Sequence, residues 1–170
     1  MNVHMQIRVA FPEDADAIHQ ITQEAFAKYS HDLGKDAPIA ALKETREDIL
    51  RDMAQKMVLI GLVNGEPVGS IRFEVFEDLA YISRFGVRPT VQKTGIGGML
   101  ISKVEELCRE MSIQAIALHT SSRMYGLIRF YYGHGYFIHS TGTDRGYIRA
   151  LLIHELEGST GYDLAPVINK

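Results

Sequence analysis

TVQKTGIGG, residues 90–98, is the stretch of sequence that decides the fold, because it joins a strand to a helix through a glycine-rich turn. The apolar residues after it, from Met99 to Met111, recur at the spacing of one helix face. Backbone amides at the start of a helix converge on an anion, and the helix dipole favours the negative charge. Glycines lack a side chain, so the backbone of residues 92–98 can approach a ligand closely. We therefore predict that this turn binds a phosphate group.

Two common phosphate-binding loops do not fit this turn. The dinucleotide-binding pattern Gly-x-Gly-x-x-Gly fails because Leu100 stands where the third glycine belongs. The P-loop pattern fails because Lys93 and Thr94 precede the glycines instead of following them. The pattern that remains is Gln-x-x-Gly-x-Gly, beginning at Gln92.

Upstream of the turn, the sequence predicts a strand, two helices and three antiparallel strands. Asn64-Gly65 is a strong hairpin signal between two β-rich runs, because both residues tolerate positive φ. In the last of the three strands the apolar alternation slips between Ile82 and Phe85, and a β-bulge would absorb this slip. The predicted strands are residues 6–10, 57–63, 68–76 and 79–87, and the predicted helices run from Pro12 to about Tyr29 and from 39 to about 57, with a loop at 30–38.

Downstream of the turn, the long helix is followed by a strand, a helix and a closing hairpin. The predicted strands are residues 115–120, 136–141 and 147–156, and the predicted helix is 123–134. We expect an α/β fold with a mixed, largely antiparallel sheet of about seven strands and about four helices. Residues 1–156 are expected to form one domain, and residues 157–170 a loosely held tail.

Composition and charge argue against several classes of function. Eighteen basic and 21 acidic residues give a formal charge of -3, so no net excess of cations favours nucleic acid as a partner. No apolar run reaches the roughly 20 residues of a membrane span, and residues 1–9 lack the apolar run of a secretory signal, so we expect a cytoplasmic protein with no membrane partner. The single cysteine, Cys108, and the lack of His-x-x-x-His or Cys-x-x-Cys spacings predict that no metal is bound.

Three segments of the chain together resemble the GNAT superfamily of N-acetyltransferases. In that family the coenzyme A motif Gln/Arg-x-x-Gly-x-Gly/Ala lies a few residues beyond a strand that ends in Val-x-Pro, as Gln92 lies here beyond Val87 and Pro89. Residues 7–18, IRVAFPEDADAI, are similar to the family's opening, and residues 130–136, FYYGHGY, are similar to its Phe-Tyr-x-x-x-Gly-Phe segment. The order of predicted elements also agrees with the family.

The resemblance implies acetyl-CoA as cosubstrate and a site for it. The diphosphate would lie on the amides of residues 93–98, and the pantetheine arm would pair with the backbone of the strand before the turn. A gap between the fourth and fifth strands would admit the coenzyme. The implied cofactor-binding residues are Phe85, Gly86, Val87, Gln92, Lys93, Thr94, Gly95, Ile96, Gly97 and Gly98.

The resemblance also implies the catalytic groups. Tyr131 occupies the family's position for the acid that protonates the leaving thiolate, and a tyrosine hydroxyl with a pKa of about 10 suits that role. The incoming amine needs a base, for which Glu74 is the first choice, with His119 and a water held by Ser83 as rivals. The family often has asparagine where this sequence has Met124, and Ser121 or Ser122 are candidates to replace it.

The expected function is acetyl transfer from acetyl-CoA to a primary amine of a small molecule or peptide. The alternatives are a non-catalytic acyl-CoA-binding module, which senses or recruits, and a nucleotide-binding protein of another class. The acceptor amine is not encoded in any motif, because the family builds its acceptor pocket from variable N-terminal helices and loops. Pairing of the C-terminal strands into a homodimer is a further expectation.

Overall fold

One seven-stranded sheet organises the part of the chain that the computed structural model describes, residues 2–34, 39–156, 159 and 161–170. The strands are β1 (Met5–Val9), β2 (Met57–Val63), β3 (Glu66–Phe76), β4 (Leu79–Val87), β5 (Ala115–Ser121), β6 (Phe137–Gly142) and β7 (Arg149–Glu155). The α-helices are α1 (Ala15–Leu33), α2 (Arg46–Gln55), α3 (Ile96–Glu110) and α4 (Tyr125–Gly133).

The sheet has the strand order β1-β2-β3-β4-β5-β7-β6, and only the central pair, β4 with β5, is parallel. That pair joins Leu79–Tyr81 to residues 115–117, and beyond Tyr81 the two strands are no longer paired. All other neighbours are antiparallel. The predicted mixed, largely antiparallel sheet of seven strands with four α-helices is therefore confirmed.

Helices cover both faces of the sheet, because successive strand residues point to opposite sides. In β2, Leu59 packs into the cluster that contains the apolar face of α3, together with Tyr131 of α4. Its neighbours Val58 and Ile60 pack on the other face against α1 and α2. None of the described helices combines the length and apolar character that crossing a membrane requires.

The predicted bulge in β4 is confirmed. Ser70 of β3 pairs with Gly86, whereas Arg72 pairs with Ser83, so two residues of β4 lie opposite the single residue Ile71. One of those two residues, Arg84, has a φ of 50°. This is the arrangement of a β-bulge whose first residue is left-handed. The Asn64-Gly65 hairpin also has the expected positive φ values, 51° and 82°.

The largest differences from the sequence prediction lie at the end of the first helix and at the start of the second. Helix α1 continues past Tyr29 to Leu33 and ends at Gly34, whose φ of 67° provides a left-handed end. The predicted helix at 39–57 is wrong in its first third, where a 3-10 turn at Ala40–Lys43 precedes an extended residue. Helix α2 begins only after Thr45, whose side chain accepts a hydrogen bond from the Asp48 amide in a capping box. The part of the predicted loop at residues 35–38 lies outside the described residues.

The expectation of a loosely held tail is wrong for residues 161–170. Val167 is fully buried, and Tyr162 and Leu164 pack beside it. These side chains cover an apolar cluster on the face of β4, β5 and β7 that α3 does not cover. Residues 157, 158 and 160 lie outside the described part of the chain.

Close packing of α3 on the sheet predicts that Gly69→Ala is destabilising. A Cβ at this position would lie 2.9 Å from Cδ1 of Leu100, which is fully buried. Overpacking of this kind typically costs about 1–3 kcal/mol of unfolding free energy. Thermal unfolding measures the loss as a lower Tm. Gly133→Ala is the control, because a Cβ there meets no heavy atom within 4 Å; an equal Tm for both variants would contradict this packing.

Candidate functional site

A cleft of about 880 Å³ opens where β4 and β5 separate. Its walls come from α1, from the parts of β4 and β5 beyond Tyr81, from the first turn of α3, and from α4. Residues 145–149 and Lys170 close its far end. The loss of strand pairing therefore produces an opening that reaches the middle of the sheet.

The glycine turn lies at the edge of this cleft. A 3-10 helix at Pro89–Thr94 leads into Gly95, whose φ of 92° favours glycine, and α3 begins at Ile96. The first α-helical hydrogen bond runs from the Met99 amide to the Gly95 carbonyl, 3.1 Å away. The amides of residues 96–98 thus belong to the first turn of α3, where no carbonyl one turn earlier can accept from them. The amides that the sequence predicts to bind a phosphate group therefore lie at a helix start, where that of Ile96 contacts Oγ of Thr94 at 3.5 Å.

The side chains at the start of the turn brace it. The Gln92 amide group donates to the Val87 carbonyl at 3.4 Å, and the Thr94 hydroxyl donates to the Val91 carbonyl at 2.7 Å. Lys93 is exposed. Gln92 and Thr94 are therefore engaged locally, and the donors at the helix start are main-chain amides with Lys93 as a neighbouring cation.

The backbone of Phe85, Gly86 and Val87 forms the free edge of β4 in the cleft. Gly86 and Val87 pair with β3 on one side, and β5 has already separated on the other. A Cβ on Gly86 would lie 2.9 Å from Cβ of Ala25, so glycine at this position allows α1 to approach the strand. The free edge offers hydrogen-bonding groups to an extended ligand, as an unpaired strand edge does.

Tyr131 lies on the cleft wall in an aromatic cluster. Its ring centroid is 5.3 Å from that of Phe130, 5.7 Å from that of Tyr136 and 6.4 Å from that of Phe85. Burial, and to a smaller degree the nearby Tyr29, raises the pKa of the Tyr131 hydroxyl above its ordinary value. The hydroxyl is therefore protonated at neutral pH, and in this buried position it is a weaker acid than an exposed tyrosine.

Glu74 also lines the cleft, where two lysines contact its carboxylate. Oε1 of Glu74 lies 3.2 Å from Nζ of Lys170 and 4.0 Å from Nζ of Lys56. The Lys170 ammonium also lies over the rings of Phe76 and Tyr81, 5.2 and 5.8 Å from their centroids. The carboxylate is thus paired with ammonium groups of the chain itself.

The two rival bases are held differently. Nδ1 of His119 lies 2.6 Å from the Tyr81 hydroxyl. Burial, and then the positive charge of Arg149, lowers the pKa of His119 to about 4, so the ring is neutral at pH 7. Oγ of Ser83 is buried, and no described residue forms a hydrogen bond with it.

The two serines near Met124, which are the candidates to replace the asparagine, each form a local hydrogen bond. The Ser122 hydroxyl donates to the Ile148 carbonyl at 3.2 Å, and Oγ of Ser121 accepts from the Arg123 amide at 3.2 Å. Met124 itself lines the cleft. Both serines therefore hold the loop between β5 and α4.

Sequence reasoning missed two sets of contacts, of which the first lies at the cleft. The Tyr29 hydroxyl accepts a hydrogen bond from the Ser121 amide at 3.0 Å, which ties α1 to β5. The buried Arg72 pairs with Glu44, 28 positions earlier in the chain. No local pattern marks either partnership. Among the described residues, no group of three histidine, cysteine or acidic side chains is placed to hold a metal ion.

Comparisons with known proteins agree with this geometry. The sequence profile described as "Acetyltransferase (GNAT) family" matches residues 15–136. A search of curated proteins finds no significant match. The fold is similar to that of PaiA N-acetyltransferase from Thermoplasma acidophilum, solved in complex with coenzyme A, with a TM-score of 0.78 and 15% identity over 90% of this chain and 99% of that one.

Two further solved structures share the fold. The ribosomal-protein-S18-alanine N-acetyltransferase from Escherichia coli has a TM-score of 0.73 and 15% identity, over 94% of this chain and 100% of that one. A putative acetyltransferase from Salmonella typhimurium, yncA, solved with acetyl-CoA, has a TM-score of 0.73 and 20% identity, over 94% and 98%. At these identities the likeness concerns the fold.

The burial of His119 predicts how stability depends on pH. The pKa of His119 is about 4 in the folded protein, against an ordinary value of 6.5 without burial. The unfolded chain therefore binds the proton more tightly than the folded protein does. The stability that the neutral ring contributes is complete above pH 6.5 and is lost as the pH falls towards 4. The Tm of wild type should thus fall more over this window than that of His119→Asn, by about 2–4 °C. His139→Asn, at an exposed histidine, is the control; parallel curves for wild type and His119→Asn would contradict the prediction.

Proposed function

The chain belongs to the GNAT acetyltransferase family, whose profile spans residues 15–136, and we propose that it transfers the acetyl group of acetyl-CoA directly to a primary amine of a small molecule or peptide. The observation that carries this proposal is the first turn of α3, whose amides lie at the edge of a cleft beside the free edge of β4. A diphosphate and an extended thioester arm require these two features together.

The residues present fit acetyl-CoA as cosubstrate. The diphosphate needs converging donors with no side chain in the way, and Gly95 and Gly97 meet that need. Packing within the protein does not require glycine at 97, because a Cβ there would lie at an ordinary contact distance, 3.6 Å, from Val87. The pantetheine amides need backbone partners, which the edge at residues 85–87 offers. The side chains of Gln92 and Thr94 donate to carbonyl groups of the same segment and so stabilise the turn.

The reaction forms a carbon–nitrogen bond and breaks the carbon–sulfur bond of the thioester. Attack by the neutral amine places negative charge on the carbonyl oxygen, and a backbone amide of the β4 bulge is the donor proposed to stabilise it. Tyr131 is the group proposed to give its proton to the departing sulfur; burial keeps its hydroxyl protonated until that step, although it also makes the hydroxyl a weaker acid. The amine loses its proton to a base.

Glu74 is the base that we propose. Its carboxylate already contacts the primary ammonium of Lys170, which supports the idea that an acceptor ammonium can dock there and give up a proton. The neutral His119 is engaged with the Tyr81 hydroxyl through Nδ1, which leaves only Nε2 for a substrate. Glu74 is therefore the first choice, with His119 as its rival.

Calorimetry and a thiol-release assay test the function. We expect acetyl-CoA to bind with measurable heat and free thiol to appear when a panel of primary amines is added. Binding without thiol release on any amine would favour the acyl-CoA-binding module, which is the second candidate. Absence of binding by a folded protein would remove both candidates, and competition by ATP or NAD would point to a nucleotide-binding protein.

Tyr131→Phe and Glu74→Gln should each slow turnover while acetyl-CoA affinity stays unchanged. Each removes a proton-transfer group, and such groups typically contribute about 10²- to 10⁴-fold to the rate. The slow step in Glu74→Gln should recover at high pH, where the acceptor amine is neutral without a base, whereas that in Tyr131→Phe should not. Steady-state thiol release between pH 6 and about 10 measures both effects.

Matched controls separate these roles from general damage. Tyr132→Phe changes the exposed neighbour of Tyr131, which does not line the cleft, and Glu77→Gln changes a glutamate in the turn between β3 and β4. Both controls should keep wild-type turnover. A Tyr131→Phe variant as fast as wild type would remove the acid role, and a Glu74→Gln variant with an unaltered pH profile would remove the base role.

A further inference from the structure

A buried ion-pair network links β3, the segment before α2 and the β4 bulge. Arg72 is fully buried, and its two terminal nitrogens donate to the two carboxylate oxygens of Glu44, each at 2.7 Å. Nη1 of Arg72 also donates to Asp52 at 2.9 Å. The same Glu44 carboxylate accepts a third bond, from Nε of Arg84 at 3.1 Å. One carboxylate therefore holds two guanidinium groups, one of which belongs to the bulge.

Arg84 has an unusual backbone for its residue type. Its φ of 50° lies in the left-handed region, and at the first position of such a bulge glycine is the common residue. A left-handed non-glycine residue is a local cost that the surroundings must offset. Glycine would avoid that cost, but it could not form the ion pair with Glu44. The presence of arginine thus points to a use for the side chain.

Glu44 is itself firmly placed. Its residue is buried, and its carbonyl oxygen lies 3.1 Å from Nε2 of His19 on α1. Gln23, one helical turn further along α1, donates to the Leu42 carbonyl at 3.1 Å. Helix α1 therefore holds the segment that carries Glu44 in place. The Glu44 carboxylate in turn holds the Arg84 guanidinium through their ion pair.

The bulge is also part of the cleft wall. Arg84 and Phe85 both line the cleft, at the level where β5 has separated from β4. Because these two residues stand opposite the single Ile71, at least one of them leaves the regular ladder with β3. The peptide groups between Ser83 and Gly86 thus belong to the cleft wall, next to the side chain that pairs with Glu44.

We infer that Glu44 is a positioning residue, which acts through Arg84 to fix the bulge amide that polarises the thioester carbonyl. The inference rests on the proposed acetyl transfer. Such a donor must lie about 2.7–3.1 Å from the developing oxyanion, so a small displacement lowers the rate. The diphosphate of the coenzyme is proposed to lie at the start of α3, which the network does not touch, and Gly86 and Val87 stay paired with β3 beyond the bulge. The expected signature is a loss of kcat without a loss of coenzyme affinity.

Arg84→Gly is the variant that tests this inference. Glu44→Gln is a poor test, because it leaves the buried Arg72 guanidinium short of charge compensation and endangers folding. Arg84→Gly removes the anchor but tolerates the positive φ, so we expect an unchanged or higher Tm. We expect kcat to fall about 10- to 100-fold, a part of the 10²- to 10³-fold that deleting such a donor costs. The Kd of acetyl-CoA by calorimetry should stay within about twofold, which is less than 1 kcal/mol.

Two matched variants accompany it. Glu77→Gly makes the same kind of change at another non-glycine residue of positive φ, 55°, in the turn between β3 and β4, and it should behave like wild type. Arg84→Lys keeps a cation that can pair with Glu44, and it should recover a large part of kcat. If Arg84→Lys is as slow as Arg84→Gly, the ion pair does not position the bulge.

Carbonyl infrared spectroscopy of bound acetyl-CoA, with carbon-13 in the acetyl carbonyl, gives a readout that needs no acceptor. In wild type the hydrogen bond from the bulge should lower the carbonyl frequency relative to free acetyl-CoA. In Arg84→Gly we expect the frequency to return most of the way to that of the free thioester. A slow Arg84→Gly enzyme with the wild-type frequency and a raised KM for the acceptor would overturn the inference, because Arg84 would then bind the acceptor instead.

Failure of the proposed function gives a different result. A wild-type protein that binds acetyl-CoA but transfers no acetyl group to any amine contradicts the enzyme proposal. A wild-type enzyme that is active, beside an Arg84→Gly variant with wild-type kcat, contradicts only the positioning role of Glu44.

Discussion

The molecule depends on an incomplete strand pairing at the centre of its sheet. Strands β4 and β5 share only the pairs from Leu79 to Tyr81, and the hydrogen bonds that would continue this parallel ladder are missing. Unpaired backbone groups in the interior of a protein are costly unless another partner satisfies them. The gap is therefore a place prepared for an extended ligand with amide groups of its own. The arm of acetyl-CoA has that chemistry, and family membership identifies acetyl-CoA as the cosubstrate.

Local features of the sequence were sufficient to predict the elements around this gap. Three glycines between a strand and an amphipathic helix specify a turn with exposed amides, because few other residues permit that backbone. The slip in alternation between Ile82 and Phe85 predicted a bulge, since a strand that buries one face has no other way to absorb an odd residue. Both features depend on neighbours in the sequence, and the structure contains both.

Features that depend on distant partners were not predictable in the same way. The 3-10 turn at Ala40–Lys43 replaces helix because Glu44 must turn inward to meet Arg72, and nothing within a helical window of Glu44 signals that demand. An arginine on a strand usually reads as a solvent-facing residue, whereas Arg72 is fully buried. Only the Thr45-x-x-Asp48 capping box was a local signal for the true helix start, and it is visible in the sequence.

The hydroxyl of Tyr29 accepts a hydrogen bond from the Ser121 amide and so links α1 to β5 across the gap. Strands β4 and β5 share three residue pairs, so the β1–β4 part of the sheet and the β5–β7 part are hydrogen-bonded to each other only near the start of these two strands. Helix α1, which packs on the first part of the sheet, then provides a second connection to β5. A ligand that binds in the gap between β4 and β5 completes the backbone hydrogen bonding between the two parts of the sheet. Binding of the thioester therefore also stabilises and stiffens the folded molecule.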